Sequence, residues 1–177
     1  MRAILVSIGS MGDTLPFISW GAHLKDRGHD VTLVVSGHFK ETVEKQGMGF
    51  VPALSAEEYQ EFLRGQSVWT EREGLKAMGG IVENMIQRVY HILAERYVPG
   101  ETVVAAQGYA FGARIAQEKL GIPTATVHLQ PLWFRSIYAP PTKPIWFPSL
   151  FVQWIDRLID FFVDYRLSPA TNGFREE

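Results

Sequence analysis

The residues with the strongest claim to chemistry lie in one short turn. Gly9-Ser10-Met11-Gly12-Asp13 follows an apolar run, Ala3 to Ile8, whose single polar member is Ser7. Such a run reads as a strand buried on both faces, and the loop after a strand's carboxyl end is where ligands gather in a doubly wound sheet. Glycines there let backbone N–H groups approach a ligand, and the N-terminus of a following helix favours a negative group. The spacing is neither the G-x-G-x-x-G of dinucleotide sites nor the G-x-x-x-x-G-K-[ST] of phosphate loops, so NAD and kinase readings lose support. What the turn supplies is a carboxylate, Asp13, just ahead of a helical pattern. It can be the N-cap residue of the helix from Leu15, or act as a general base that takes a proton from a substrate hydroxyl. His128 and Gln130 sit where a later strand ends, and would face the same cleft if the strands run parallel; a lone histidine serves structure as readily as ligand contact.

These residues need a frame to hold them. From Leu15 the pattern turns helical, with Leu15, Ile18 and Ala22 on one face, Pro16 tolerated in the first turn, and Arg27-Gly28 as the stop. Val31 to Val35 reads as a second strand, Phe39 to Gln46 as a short helix closed by Gly47, and Phe50 to Ala53 as a weaker strand cut by Pro52. Ala56 to Leu63 looks helical, and the polar, glycine-punctuated Gly65 to Gly80 region is expected to be a mobile loop. A long helix follows over Ile81 to Tyr97, with Ile81, Met85, Val89, Ile92 and Leu93 at helical spacing. Thr102 to Ala106 is a fourth strand, Tyr109 to Leu120 a helix whose Ala110, Ala113 and Ala116 allow close approach, and Pro123 to Leu129 a fifth strand. Alternating strands and helices imply parallel pairing through right-handed crossovers. The fold class is therefore α/β, a Rossmann-like parallel sheet with helices on both faces. Gln130 to Pro148, rich in proline and aromatic residues, suits an extended excursion, and Leu150 to Leu167 an amphipathic helix.

Composition narrows the function classes. The chain has 177 residues, 46% hydrophobic and 20% charged, enough for one core and too short for a second full-sized domain. Seventeen Lys and Arg against nineteen Asp and Glu leave a net charge of -2, which argues against nucleic-acid binding. There is no cysteine, and five scattered histidines offer no metal-ligand spacing, so no metal site is expected. No signal peptide or membrane-length apolar stretch is read, and a cytoplasmic location is expected. In the last helical pattern Phe151, Trp154, Ile155, Leu158, Ile159 and Phe162 form an apolar face opposite Asp156, Asp160 and Asp164. Peripheral membrane contact is one reading of it; the acidic stripe, which anionic lipid repels, favours packing against protein.

Taken together, Gly9 to Asp13, Pro16, Leu24, Arg27-Gly28-His29 and Val31 to Val35 resemble the amino-terminal signature of glycosyltransferase family 1, in the branch with sterol glucosyltransferases, rhamnosyltransferases and antibiotic glycosyltransferases. Phe111 to Pro123, with Val127 to Pro131 and Arg135-Ser136, is similar to the second half of the same domain. The resemblance spans residues 1 to about 140 in order.

That resemblance implies the GT-B fold, two Rossmann-like domains facing across a cleft. In such enzymes the amino-terminal domain binds the acceptor and holds the base, while the carboxyl-terminal domain binds a nucleotide sugar. Residues 1–177 are then expected to be the acceptor-binding half of an inverting transferase that moves a sugar from a UDP- or dTDP-sugar to a hydroxyl of a lipid or other hydrophobic small molecule. The donor domain is expected beyond this sequence. Asp13 corresponds to the base; many members use a histidine instead, and the plant-type His–Asp dyad is not matched. Gly9 and Gly12 are expected near the donor diphosphate, although plain turn glycines would look the same. Trp69 and Met78, and Trp133 with Phe134 and Tyr138, are candidates for the acceptor pocket; aromatics among prolines also pin a loop to its domain. No cofactor beyond the nucleotide-sugar co-substrate is expected. A glycosidase would want a second carboxylate about 5–10 Å from the first, and none can be named beside Asp13. The isolated chain is expected to be inactive and to self-associate through the face that meets the donor domain. The competing class is a non-catalytic Rossmann-like module that binds a hydrophobic ligand or docks a separate catalytic subunit.

Overall fold

The computed structural model describes residues 1–66, 72–130, 157–158, 161 and 172–175. It divides into two compact units, Met1–Val127 and His128–Glu177. In the second, residues 157–158, 161 and 172–175 are helical; the rest of the expected helix Leu150 to Leu167, and the excursion after Gln130, lie outside the described residues.

The first unit runs β1 (Arg2–Val6), α1 (Met11–Asp26), β2 (Asp30–Ser36), a 3-10 turn (Gly37–Phe39), α2 (Lys40–Lys45), β3 (Gly49–Leu54), α3 (Ala56–Gln66), α4 (Arg72–Arg96), β4 (Thr102–Gln107), α5 (Phe111–Leu120) and β5 (Thr124–Val127). The five strands form one parallel sheet in the order β3-β2-β1-β4-β5. This is the expected α/β class. Because β2 lies on one side of β1 and β4 on the other, the chain reverses its direction of winding between β1 and β4. The carboxyl ends of those two strands therefore open the crevice in which such sheets bind ligands.

The sheet's central position follows from its side chains. Alternate residues of β1 point to opposite faces: Ile4 and Val6 join a core with Val34, Val104, Ala106, Val89 and Leu93, whereas Ala3 and Leu5 join one with Leu33, Val35, Phe17 and Phe39. Pro52, which lacks an N–H for a ladder bond, falls on the edge strand β3, beside an irregularity in register between Val35 and Ser36.

Two expectations need correction. Helix α1 begins at Met11, four residues before the expected start, so Pro16 lies beyond the first turn and removes the N–H that would bond the Gly12 carbonyl. Its buried face is Thr14, Phe17, Ile18 and Gly21, not Leu15, Ile18 and Ala22; Leu15 is exposed. Gly21 sets this orientation, since a Cβ there would lie 2.8 Å from Met48 Sδ and 3.1 Å from Leu33 Cδ1. The second correction concerns the loop expected over Gly65 to Gly80. Helix α3 continues to Gln66 and α4 starts at Arg72, so only residues 67–71 lie outside the described helices. Leu75, Met78, Val82, Met85, Val89 and Ile92 continue one helical spacing through the glycines, and the buried Met85, Val89 and Ile92 anchor a helix whose cost is about 1 kcal/mol per glycine.

Candidate functional site

The site is built from the turn after β1 and the last residue of β4. Gly9 has φ +152, and a Cβ on it would sit 2.5 Å from Asp13 Oδ2. The turn can thus close over the carboxylate only because residue 9 has no side chain. Gly12 differs: it has an ordinary φ, and a Cβ there would meet only Ser10 Oγ, at 3.7 Å. The fold requires a glycine at position 9 and leaves position 12 open.

Ser10 caps α1, and Asp13, three residues on, reaches back to it. The Ser10 backbone N–H and its Oγ each donate to Asp13 Oδ2 at 2.9 Å. This is the reciprocal bond of a capping box: Ser10 is the N-cap, and Asp13, expected to be the N-cap itself, supports the cap from the third helical position instead. The other oxygen has a different partner. Gln107 Nε2 donates to Asp13 Oδ1 at 2.8 Å, while Gln107 Oε1 accepts from the Ile8 N–H at 3.0 Å and the Ser7 hydroxyl at 3.3 Å. Ser7 Oγ also lies 3.2 Å from the Asp13 carbonyl oxygen and 3.5 Å from Thr14 Oγ1. Ser7, Thr14 and Gln107 are buried, whereas Asp13 is half-buried. The result is a carboxylate fixed from behind by uncharged donors, with Oδ2 bonded twice and Oδ1 once. An oxygen so placed has a lone pair left to accept a proton from a hydroxyl in the crevice.

A second polar group stands at the same edge of the sheet, after β3. Ser55 and Glu58 form the cap of α3, with Ser55 N–H to Glu58 Oε2 at 2.6 Å and Glu58 N–H to Ser55 Oγ at 3.1 Å. Arg88 of α4 donates to both Glu58 oxygens, at 2.8 and 3.1 Å, and to the Ala53 carbonyl at 3.1 Å. Arg88 first, then the Ser55 N–H, holds the Glu58 carboxyl below its usual range. One turn into α3, Tyr59 is buried against Phe39 and the His38 ring, its hydroxyl without a hydrogen-bond partner among the described residues. Burial raises its phenol above the ordinary value, and the Asp13 charge raises it further.

Of the residues singled out from sequence, Gly9, Gly12 and Asp13 come together here. His128 and Gln130 directly follow β5, are exposed, and open the second unit. Trp69 and Trp133 lie outside the described residues, as do Phe134 and Tyr138; Met78 falls within α4. Sequence reasoning missed Gln107, Ser7 and Ser10 as partners of Asp13. A signal existed: Ser7 is the one polar residue of an apolar run, and Gln107 ends the apolar stretch Val103 to Ala106. Among the described residues there is no cluster able to hold a metal ion, and no helix is long and apolar enough to cross a membrane.

Comparison with known proteins gives this arrangement a family. The chain is 25% identical over 152 residues to a sterol 3-beta-glucosyltransferase of Saccharomyces cerevisiae, covering 84% of this chain and 12% of that protein. It is 28% identical over 150 residues to an uncharacterised glycosyltransferase of Mycobacterium tuberculosis, covering 81% and 36%. The chain thus spans about a third or less of the curated relatives it matches. Among solved structures, the kitacinnamycin glycosyltransferase superposes with a TM-score of 0.61 at 19% identity, over 96% of this chain and 38% of that one, a likeness of fold. The glycosyltransferase family 28 N-terminal domain model matches residues 3–139. By that match the chain belongs to the glycosyltransferase family 28 N-terminal domain family, and its Rossmann-like sheet shares the fold of a solved glycosyltransferase.

Proposed function

We propose that this chain is the acceptor-binding half of an inverting glycosyltransferase, with Asp13 as general base. The observation that carries the reading is the Asp13 carboxylate at the β1/β4 crevice, held by uncharged donors, with Oδ1 holding a single hydrogen bond among the described residues. An acceptor hydroxyl placed against Oδ1 gives up its proton as its oxygen bonds to the anomeric carbon. The bond from that carbon to the nucleotide diphosphate breaks, and the diphosphate leaves with the electron pair. Attack comes from the face opposite the leaving group, which inverts the sugar. The role of the chain's own residues is to hold Asp13 and admit the acceptor.

Around this turn Met11, Leu15 and Tyr109 expose apolar surface, at 55%, 43% and 39%. Together with the sterol glucosyltransferase relative, that surface supports a hydrophobic acceptor, a lipid or sterol-like alcohol. The donor in this reading is a UDP- or dTDP-sugar, held chiefly by a second domain and approached here by the open Gly12 position. The reading keeps the cytoplasmic location expected from sequence. The test is transfer of labelled glucose from UDP-glucose or dTDP-glucose to cholesterol and a panel of hydrophobic alcohols. The complete enzyme yields a glycoside, and residues 1–177 alone yield none and bind either donor weakly by calorimetry. Micromolar or tighter donor binding by the isolated chain, or no glycoside from the complete enzyme with any acceptor, contradicts it.

A further inference from the structure

Gln107 is buried at the end of β4, an uncharged amide between two demanding neighbours. The Ile8 backbone N–H can only donate, so the Gln107 oxygen must face it, and the amide NH2 must then face Asp13. The reverse orientation would set donor against donor at Ile8 and acceptor against acceptor at Asp13. The hydrogen-bonding chemistry therefore settles the side chain's orientation, and the strand beneath holds it there.

We propose that Gln107 is a positioning residue for the reaction: it fixes Asp13 so that Oδ1, and not Oδ2, takes the acceptor proton. The proposal rests on the reading of Asp13 as base. Oδ2 is occupied by two donors from Ser10, so rotating the carboxylate about its Cβ–Cγ bond would break three bonds at once. Gln107 occupies one lone pair of Oδ1, and no other bond to that oxygen is made among the described residues. An amide suits this task because it donates to the carboxylate and cannot itself take the proton in transit. A carboxylate at position 107 would compete for that proton, since two carboxylates in hydrogen-bond contact cannot both carry charge without strong repulsion.

The test uses the complete enzyme with UDP-glucose or dTDP-glucose, whichever it accepts, and an alcohol that it glycosylates. Gln107→Glu keeps the size of the side chain and its bond from Ile8, and places a carboxyl against Asp13. The acid limb of its kcat–pH profile is expected to move up by about one unit or more. Its resistance to urea, compared with wild type, is expected to fall as pH rises from 5 to 8, because a shared proton must be lost. Gln107→Met removes the donor and keeps the bulk; kcat is expected to fall about 10–100-fold, the cost of a misplaced group, with the KM for the alcohol unchanged. An unmoved acid limb in Gln107→Glu with kcat preserved in Gln107→Met overturns the proposal. Asp13→Asn, run in parallel, locates the failure. If that variant is inactive, the base stands and Gln107 has no positioning role; if it is active, the base reading has failed and the proposal falls with it.

Discussion

Two carboxylates stand at the same edge of this sheet, each three residues after a serine that it caps, and their surroundings differ in one respect. Glu58 is gripped by a guanidinium through both oxygens; Asp13 is held by serine and glutamine donors that carry no charge. Arg88 ties α3 to α4 and to the end of β3, so Glu58 is a strut whose charge is already paired. Asp13 is restrained in direction by donors that leave its charge unpaired among the described residues. The same local motif, a serine with an acid at the third position, thus serves two ends, and what separates them is the long-range partner. Caps can be read from sequence; which cap does chemistry depends on what packs against it.

The comparison breaks most severely at Gly9. Gly9→Ala forces a side chain into the Asp13 carboxylate at a φ that L residues avoid, and is expected to cost about 2–3 kcal/mol. Thermal unfolding should show it, together with a loss of turnover larger than the fraction unfolded. A midpoint unchanged within a degree would mean that the turn is not closed over Asp13.

Next is the strut. Arg88→Met should cost about 1 kcal/mol or less, because both partners are more than a third exposed. The Glu58 carboxyl titrates below its ordinary range when folded, so its contribution is fully present above the unfolded value, about 4.5, and fades as pH falls through the folded one. Urea midpoints of wild type and variant are therefore expected to differ at pH 7 and to converge toward pH 3. Turnover at pH 7, corrected for the folded fraction, should match wild type; a selective loss would give Glu58 and Arg88 a part in the chemistry and erase the contrast.

Gly12→Ala sharpens the contrast from the other side. The position is open, so stability should hold or rise by a few tenths of a kcal/mol. The KM for the nucleotide sugar should increase if the diphosphate passes over this turn. An unchanged KM would leave Gly12 a turn glycine only.

Much of the frame is legible in the sequence. Strands β1 and β2 are short, mainly apolar runs, buried on both faces because parallel sheets bury both sides; their positions follow to within about two residues. Helix α1 is misread because Pro16 suggests a first turn, whereas the cap formed by Ser10 and Asp13 sets the start at Met11, four residues earlier than expected. The face is misread because Gly21, silent in hydropathy, marks the closest approach to the sheet. Asp13 stands out from its turn alone. Its chief partner does not, since Gln107 lies 94 residues away and meets it only once β4 pairs with β1. Local spacing cannot convey that meeting; topology does.

The most direct measurement exchanges the two groups. In Asp13→Asn alone, an amide NH2 would face the Gln107 NH2, and two donors without an acceptor should cost about 1–3 kcal/mol. In the double variant Asp13→Asn with Gln107→Glu, the amide donates to the new carboxylate, Ser10 still donates to an oxygen, and Ile8 still donates to residue 107. The hydrogen bonds are kept and the negative charge moves from residue 13 to residue 107. If Asp13 is the base, the double variant recovers most of the thermal stability lost in Asp13→Asn, yet its kcat in the complete enzyme stays about 10²–10⁴-fold below wild type. A double variant that is folded and turns over at near the wild-type rate would show that the proton does not go to Asp13.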